Sequence, residues 1–308
     1  SAASDVYKRQ PVHAVEDVTF GVKPGERFGI VGESGCGTTT TAMTILRLIK
    51  PPAYVDRGRV LLNGTDLLAL DDESMHRRRW SEVSMVMQGA MNSLSPVTRV
   101  RQQIVDAITT HEGKAPGRIL EKRVRDLLGV VGLPGQTADL FPHELSGGMK
   151  QRVCIAMAIA LSPKLIVADE PTSSLDVVTQ RVVIQTLIEV QERLGASLIL
   201  IGHDMGLQAQ IVQRMGVMYA GRMVETGNVE QIYSDPLHPY TQLLIESIPS
   251  VRERKMPRGI PGLPPSLLHP PPGCLFEARC PLAMDVCRQV IPPLRELKPG
   301  HFAACHLY

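Results

Sequence analysis

Short apolar runs alternate with longer stretches of helical period along most of the chain. Several of these runs are apolar on both faces, which is typical of strands buried in a sheet that helices cover. The alternation of strand and helix predicts an α/β fold with a mostly parallel sheet and right-handed crossovers. The predicted strands are 27–32, 58–64, 83–87, 164–169, 197–202, 214–220 and 221–227, and a further strand is expected within 11–20.

Two parts of the chain depart from this alternation. Helical period is clearest in 147–161 and 177–194, and the strand signal vanishes from 89 to 160, so we predict a helical insert at about 89–160 in the α/β core. The composition changes after residue 249, because residues 257–299 contain eleven prolines and four of the six cysteines follow residue 273. This change predicts a separate, loop-rich C-terminal extension.

Composition restricts the class of protein. Hydrophobic residues make up 44% of the chain but aromatic residues only 4%, which predicts a mainly aliphatic core. The 33 basic and 31 acidic residues nearly cancel, so nothing indicates a nucleic-acid partner. The longest apolar run, Val153–Leu161, is about half the length of a membrane span, and no secretion signal is visible. We therefore expect a soluble protein, with a tail of uncertain origin at 1–10.

The sequence GESGCGTTT at 32–40 lies between a predicted strand and a predicted helix. This is the context of a phosphate-binding loop of the pattern G-x-x-x-x-G-K-[ST], in which glycines let backbone N–H groups wrap an anion at a helix N-terminus. Thr39 stands where a hydroxyl would bind Mg²⁺, and Thr40 is its neighbour. The predicted nucleotide-binding residues of this segment are Gly32, Gly35, Cys36, Gly37, Thr38, Thr39 and Thr40.

Thr38 occupies the position of the lysine in that pattern. The lysine would reach the phosphates as a positive charge, and hydrogen bonds to charged groups contribute about 1.5–3 kcal/mol each. Its loss corresponds to about 10- to 150-fold in affinity, with a larger effect on turnover. Arg47, the next basic residue along the helix, lies more than two turns away. Two explanations stay open: a naturally degenerate site in a protein that supports a partner's site, or removal of the lysine by engineering or a sequence error.

Two further segments carry marks of nucleotide chemistry. The apolar strand LIVAD is followed by a second carboxylate, so that Asp169 would hold Mg²⁺ through water and Glu170 would act as general base toward an attacking water. The segment LSGGMKQR provides a second helix N-terminus suited to phosphate, through Ser146, Gly147 and Gly148. Because one nucleotide cannot easily use both loops within one subunit, a partner subunit is implied.

Together these segments resemble the ATP-binding subunits of ATP-binding-cassette (ABC) transporters, over about residues 11–308. LSGGMKQR is similar to that family's signature sequence, and SSLD is similar to its D-loop, which implies that Asp176 also belongs to the nucleotide-binding residues. Gln88 is similar to the Q-loop glutamine, and His203 to the switch histidine. The resemblance implies a P-loop NTPase cassette with a RecA-like parallel sheet core, an antiparallel β subdomain and the helical insert. It also implies that Glu170, His203 and Gln88 are catalytic, and that Gln88 binds Mg²⁺ together with Thr39 and Asp169.

The family also implies how such subunits assemble. Two subunits would pair head to tail, so that ATP and Mg²⁺ lie between the phosphate-binding loop of one and the signature of the other. His203 would contact the γ-phosphate, and Gln88 would link the nucleotide state to a transmembrane permease docked on the helical insert. An aromatic residue that stacks on adenine is expected upstream of the first strand, where Tyr7 is available.

The C-terminal part resembles a narrower branch of the family. HPYTQLLIESIP, IPGLPPSL, GCLFEARCPLAMDVC and GHFAACH are similar to the C-terminal extension of oligopeptide/dipeptide and nickel importers. The predicted organisation is a tail at 1–10, an ATP-binding cassette at 11–235 and this extension at 236–308. The branch implies an ATP-hydrolysing subunit, peripheral at the cytoplasmic face of the cell membrane, that powers import of peptides or solutes such as nickel. An extracytoplasmic binding protein would select the substrate.

Four cysteines of the extension are spaced C-x5-C-x6-C-x17-C. Four thiols so close together, without a secretion signal, favour a metal over disulfides, and thiolates select zinc or iron–sulfur clusters. The spacing is not that of a zinc ribbon, and some members of the resembled family carry a four-iron–four-sulfur cluster. A cluster, zinc, and free thiols or a disulfide stay open for Cys274, Cys280, Cys287 and Cys305.

Two other functions compete with the transporter ATPase. A binding-only subunit would hold nucleotide poorly and support the ATP site of a different partner. A soluble cassette ATPase that acts on ribosomes or DNA would have two cassettes, or a long coiled coil between the phosphate-binding loop and the signature. This chain has one cassette, about 110 residues between those motifs and no basic stripe. The transporter ATPase is therefore the main hypothesis.

Overall fold

A mixed sheet forms the centre of the protein in the computed structural model, which describes residues 12–248 and 259–308. The predicted tail at 1–10, with Tyr7, lies outside them. The strands of the described part are β1 Arg27–Val31, β2 Leu61–Leu62, β3 Thr65–Asp66, β4 Val83–Val86, β5 Leu165–Asp169, β6 Ser197–Gly202, β7 Arg214–Tyr219, β8 Arg222–Asn228, β9 Arg295–Lys298 and β10 His301–Ala303. The α-helices are α1 Thr38–Ile45, α2 Asp72–Arg78, α3 Val100–Glu112, α4 Gly117–Val130, α5 Gly147–Ala158, α6 Val177–Leu194, α7 Met205–Ala209, α8 Val229–Ser234 and α9 Pro239–Glu246.

Eight strands form the main sheet, in the order β4–β5–β6–β1–β7–β8–β10–β9. Pairing is parallel from β4 to β7 and antiparallel from β7 to β9. Parallel neighbours must be joined by crossover connections, and here helices supply them, as the alternating pattern predicts. The predicted α/β sheet is therefore confirmed, with an antiparallel extension at one edge.

The central strands are buried on both faces. Along β5, Ile166 and Ala168 belong to one apolar cluster, whereas Leu165 and Val167 belong to a second cluster. Successive side chains of a strand point to opposite faces, so the two clusters lie on opposite sides of the sheet. This arrangement explains why the strand is an unbroken apolar run rather than an alternating one.

The interval of about 89–160, predicted to form a helical insert, is mainly helical. Within the described residues no strand lies between β4 and β5, and α3, α4 and α5 fill the interval. α4 buries Leu120, Val124 and Leu128, which are four residues apart and therefore share one face of the helix. None of the helices in the described ranges is long and apolar enough to cross a membrane.

Two strand predictions are wrong. Residues 12–26 form no strand, because the segment uses its polar groups on the turn after β7: the Glu16 N–H donates to the Gly221 carbonyl at 2.8 Å, and the Glu16 carboxylate lies 2.8 Å from Arg222. The strand predicted at 58–64 is shortened to β2, which pairs with β3 in a hairpin outside the main sheet. It therefore lacks the second neighbour that would extend it.

The C-terminal segment, residues 259–308, belongs to the same sheet. β10 pairs antiparallel with β8, and β9 pairs with β10. Phe276 is 1% exposed, and its ring centroid lies 5.1 Å from that of Tyr219 in β7 and 5.3 Å from that of Tyr240 in α9. The expectation of a separate extension is therefore not supported, because these strands continue the main sheet and this ring fills the common core.

Phe276→Ala should lower the free energy of unfolding by about 3–5 kcal/mol, because it leaves a cavity where the C-terminal segment meets β7 and α9. Urea unfolding followed by circular dichroism measures this change. Leu263→Ala is the matched control, since that side chain of the same segment is 86% exposed and its loss should cost less than about 0.5 kcal/mol. An equally small loss for Phe276→Ala would contradict the packing of the segment on the sheet.

Candidate nucleotide site

The glycine loop, residues 32–37, connects β1 to α1. Gly35 and Gly37 have φ angles of 83° and 97°, in the left-handed region that favours glycine. A Cβ atom at Gly32 would lie 2.3 Å from the carbonyl oxygen of Met218. The loop therefore requires glycine at these three positions. It leads directly into the N-terminus of α1, whose first N–H groups are the donors that an anion would use.

Thr38 is the first residue of α1, and Thr39 and Thr40 follow in the same turn. The Thr38 hydroxyl lies 4.0 Å from the Cys36 sulfur. Burial raises the pKa of the Cys36 thiol, so we expect this thiol to stay protonated and to take no direct part in binding phosphate.

Arg47 does not replace the missing lysine. Its guanidinium donates to the Leu70 carbonyl at 2.5 Å and to the Asp72 carboxylate at 2.9 Å. Both contacts belong to the segment around the start of α2, not to the glycine loop. The loop therefore offers N–H and hydroxyl donors to a phosphate, without the positive charge that the motif usually supplies.

Asp169, at the end of β5, is suited to hold a cation. It is 1% exposed, and in the described structure both carboxylate oxygens lack a hydrogen-bond partner. Burial raises the pKa of this carboxyl, whereas the neighbouring Thr39 hydroxyl lowers it and the charge of Glu170 raises it. Carboxylate and hydroxyl oxygens are ligands that Mg²⁺ prefers. Two unpartnered oxygens beside Thr39 therefore fit a magnesium ion.

Glu170 brings the predicted catalytic side chains together. Gln88 donates from Nε2 to Glu170 Oε2 at 2.7 Å, and His203 Nδ1 lies 3.4 Å from Glu170 Oε1. Gln88 follows β4 and His203 follows β6, and these two strands flank β5 in the sheet. Three residues that are distant in sequence therefore meet at one edge of the sheet.

The backbone of Glu170 has an unusual conformation. Its φ angle of 43° lies in the left-handed region, which is uncommon for residues other than glycine. Its N–H donates to the Ile201 carbonyl at 2.9 Å, and its carbonyl accepts from the N–H and the hydroxyl of Ser173 at 3.1 and 3.0 Å. Hydrogen bonds on both sides thus hold the turn, and the side chain, 24% exposed, is open to water.

The signature residues lie at the N-terminus of α5 and contact the D-loop and α6 rather than the glycine loop. The Ser146 hydroxyl caps α5 by accepting the N–H three residues on, at 3.3 Å. A Cβ atom at Gly148 would lie 2.4 Å from Thr179, and one at Gly147 would lie 3.2 Å from Leu175. Gly148 therefore allows α5 to approach α6 closely, and Gly147 allows it to approach the D-loop.

Asp176 ends the D-loop and caps α6. Its Oδ1 accepts the N–H groups of Val178 and Thr179 at 3.1 and 3.0 Å, and its Oδ2 accepts the Thr179 hydroxyl at 2.6 Å. The Thr179 hydrogen bonds lower the pKa of Asp176 and keep it ionised. Asp176 and the signature residues thus form a second surface, on α5 and α6.

Sequence patterns missed one contact of the glycine loop. Arg279 of the C-terminal segment donates to the Glu33 carboxylate at 2.7 and 2.9 Å, and the Tyr240 hydroxyl accepts the Glu33 N–H at 3.0 Å. These partners are 246 and 207 residues apart, so no local spacing predicts them. The available signal is Glu33 itself, which is the single charged residue in 32–40.

The predicted iron–sulfur or zinc site is not supported. The cysteines concerned are free thiols, and in the described ranges no group of three or more His, Cys, Asp or Glu side chains is arranged to hold a metal ion. Burial raises the pKa of Cys274 to about 11 and also raises the pKa values of Cys280 and Cys305. Such ligands must be thiolates, whereas burial favours the protonated form. The predicted ligands that are therefore not supported are Cys274, Cys280, Cys287 and Cys305.

Comparison with known proteins assigns this geometry to a family. A family model described as "ABC transporter" matches residues 15–173, just over half of the chain. The chain belongs to the ABC transporter family. A second model, described as "Oligopeptide/dipeptide transporter, C-terminal region", matches residues 224–287. The predicted resemblance is thereby confirmed, and with it an ATPase cassette that uses ATP and Mg²⁺.

Relatives are similar over most of their length. A probable peptide ABC transporter ATP-binding protein of Sinorhizobium fredii is 44% identical over 95% of this chain and 88% of its own. The oligopeptide transport ATP-binding protein AppF of Bacillus subtilis is 42% identical, over 96% and 90%. The dipeptide transport ATP-binding protein DppD of Escherichia coli is also 42% identical, over 96% and 91%.

Solved structures share the cassette fold. A dimeric ATP-binding cassette in a post-hydrolysis state, bound to ADP and phosphate, superimposes with a TM-score of 0.62 at 29% identity. The match covers 70% of this chain and 90% of that one. The predicted P-loop NTPase cassette is therefore confirmed, and its sheet is mixed rather than mostly parallel.

Glu170→Gln should remove the proton acceptor while keeping the size of the side chain. We expect ATP hydrolysis to fall by about 100-fold or more, and Mg-ATP affinity to stay within about twofold. Phosphate release and isothermal titration calorimetry measure the two quantities, in the chain as it stands and with Thr38→Lys. Glu189→Gln, on the exposed side of α6, is the matched control and should change neither. Unchanged hydrolysis in Glu170→Gln would exclude this residue as the base.

Asp169→Asn should stabilise the nucleotide-free protein at neutral pH. Because burial raises the pKa of Asp169, the folded protein keeps a proton there at pH values where the unfolded chain has lost it. The ionised carboxyl therefore reduces stability as the pH rises from the ordinary Asp value through the raised folded value. Calorimetric unfolding should show a higher Tm for Asp169→Asn at neutral pH, and the difference should shrink as the pH falls through that window.

The same variant should also lose the dependence of ATP binding on Mg²⁺, since its amide is a poor ligand for the ion. Asp126→Asn, at an exposed position of α4, is the control and should change neither Tm nor Mg²⁺ dependence. A lower Tm for Asp169→Asn at neutral pH would contradict the assignment of a buried, unpartnered carboxylate.

Proposed function

We propose that this protein is the ATP-hydrolysing subunit of an ABC importer for peptides. The observation that carries hydrolysis is the convergence of Gln88 and His203 on Glu170, beside the unpartnered carboxylate of Asp169. A subunit that only binds nucleotide has no need of a general base held by two partners. The relatives support the substrate class, since they are described as peptide, oligopeptide and dipeptide transport proteins.

Each residue would have a role that its position supports. The N–H groups of the glycine loop and of the first turn of α1 would bind the phosphates. Thr39 and Asp169 would hold Mg²⁺, which would supply positive charge to neutralise the charge that develops on the phosphates. Glu170 would take a proton from the attacking water, while Gln88 and His203 hold its carboxylate in place. The His203 side chain is 67% exposed, which leaves it free to turn toward a γ-phosphate.

The second surface, on α5 and α6, would complete the site of another subunit. Ser146, Gly147 and Asp176 are exposed there, beside the buried Gly148. A solved cassette of the same fold is described as dimeric. We therefore infer a head-to-tail pair in which the signature residues of one subunit face ATP on the glycine loop of the other, with Asp176 at the same interface.

The transport assignments rest on the relatives. The helical insert would dock on transmembrane permease subunits, which would place this protein peripherally at the cytoplasmic face of a cell membrane. An extracytoplasmic binding protein would select the peptide or a related solute such as nickel. The proposed organisation is a cassette at 11–235 followed by an importer-type region at 236–308. The proposal includes no iron–sulfur cluster or zinc ion, since among residues 12–248 and 259–308 no group of thiols is arranged to hold one.

Thr38→Lys should raise ATP hydrolysis at least tenfold, because it returns a positive charge to the phosphates at the first position of α1. Release of phosphate from Mg-ATP measures this, with and without candidate permease and cassette partners. Thr38→Met is the matched control: it adds comparable length without charge and should give no gain. Co-purification with a membrane permease separates a transporter subunit from a soluble cassette ATPase.

A second outcome would favour the binding-only alternative. If Thr38→Lys gains nothing even with partners present, the site is degenerate beyond this one residue. The protein would then work by contributing its signature to the ATP site of a different subunit.

A further inference from the structure

Arg279 connects the C-terminal segment to the glycine loop. Its two terminal nitrogens donate to the two carboxylate oxygens of Glu33 at 2.7 and 2.9 Å, in the bidentate geometry that gives strong ion pairs. Its Nε donates to the Pro261 carbonyl at 2.9 Å, and Nη1 donates to the Tyr219 hydroxyl at 3.2 Å. The side chain is 4% exposed. Nη2 also donates to the Ile260 carbonyl at 3.4 Å, so four different partners hold the guanidinium in one orientation.

A buried aromatic cluster holds Glu33 from a second direction. The Glu33 N–H donates to the Tyr240 hydroxyl at 3.0 Å. The Tyr240 ring lies 4.6 Å from that of Tyr219 and 5.3 Å from that of Phe276. The Arg279 guanidinium lies 5.6 Å from the Tyr219 ring centroid. Both partners of Glu33 are thus positioned by the same core, where the C-terminal segment meets β7 and α9.

The charge of Glu33 matters because of where it lies. It is the single charged residue in 32–40, and Thr38 contributes no positive charge there. An unpaired carboxylate in a half-buried phosphate-binding loop would repel a triphosphate. Arg279 cancels this charge, and its hydrogen bonds with Glu33 in turn raise the pKa of the guanidinium, which therefore stays charged.

We propose that Arg279 is a positioning residue for ATP that acts through Glu33: it cancels the negative charge of the glycine loop and so allows the triphosphate to bind. This role presupposes the ATP site of the proposed function and adds a residue from outside the cassette motifs. The competing explanation is a brace, in which the ion pair only holds the C-terminal segment on the sheet.

The two explanations predict opposite effects of Glu33→Gln on Mg-ATP affinity. If charge decides, Arg279→Gln weakens Mg-ATP binding about tenfold or more, whereas Glu33→Gln removes the carboxylate, keeps the guanidinium and leaves binding equal or tighter. If the contact is only a brace, both variants lose the same ion pair and both bind more weakly. The double variant Glu33→Gln/Arg279→Gln should recover most of the lost affinity under the charge explanation and none of it under the brace.

Isothermal titration calorimetry with Mg-ATP and Mg-ADP tests this on the full chain, as it stands and with Thr38→Lys. The loss in Arg279→Gln should be larger for Mg-ATP, which carries more negative charge. Arg288→Gln is the matched control, because this arginine of the same segment is 70% exposed and pairs with Glu277. The affinity of Arg288→Gln for Mg-ATP should equal that of the parent protein. Circular dichroism checks that each variant is folded.

The outcomes separate the two proposals. Binding by the parent, with weaker binding in Glu33→Gln or with no loss in Arg279→Gln, would overturn the role of Arg279 alone. Glu33→Gln decides the matter by itself if Arg279→Gln does not fold. Absence of Mg-ATP binding in both backgrounds would overturn the proposed function.

Discussion

Parallel pairing of β4, β5 and β6 determines where the chemistry of this protein lies. Val86 lies opposite Ala168 in the register of β4 and β5, so the residues two places later, Gln88 and Glu170, come to face each other. β6 adds His203 on the other side of β5, and β1 adds the glycine loop next to β6. The carboxyl ends of parallel strands meet at one edge, so segments more than a hundred residues apart share one site without any long-range motif to bring them together.

At the same edge of the sheet, two residues have features that reduce the stability of the fold. Asp169 is buried with two unpartnered oxygens, and Glu170 has a left-handed backbone; features of each kind typically cost of order 1–3 kcal/mol. Both follow β5, a strand whose two faces are covered by apolar clusters. A strand that is buried at every position thus carries the residues whose conformation or ionisation opposes folding. This is the pattern expected where side chains are kept for chemistry rather than for stability.

The pattern of apolar residues within single segments correctly predicted α6 and the central strands. α6 begins and ends where helical period in 177–194 does, and the central strands match unbroken apolar runs, because burial on both faces leaves a signal within each segment. The strand expected within 11–20 does not form in the described residues 12–20, where the Glu16 N–H donates to the turn at Gly221 instead. Proline-rich composition suggested a separate extension, whereas β10 pairs with β8, a partner that composition cannot specify. The motifs predicted which residues lie together, because their order and spacing are a property of the family. The contact between Arg279 and Glu33 spans 246 residues and belongs to no such motif, so the sequence did not predict it.

Counting charges at the glycine loop joins these observations. With a lysine at position 38, the loop and Arg279 would together have a net charge of +1. With Thr38, the charges of Glu33 and Arg279 cancel and the net charge is zero. On the proposed role of Arg279, its absence would leave one negative charge facing a triphosphate, with only N–H groups, hydroxyls and Mg²⁺ to oppose the repulsion. The less positive charge the loop itself provides, the more its affinity for ATP would depend on Arg279, which the C-terminal segment supplies. On that role, a loop without the lysine would make the packing of that segment, around Phe276, a condition for nucleotide binding as well as for stability.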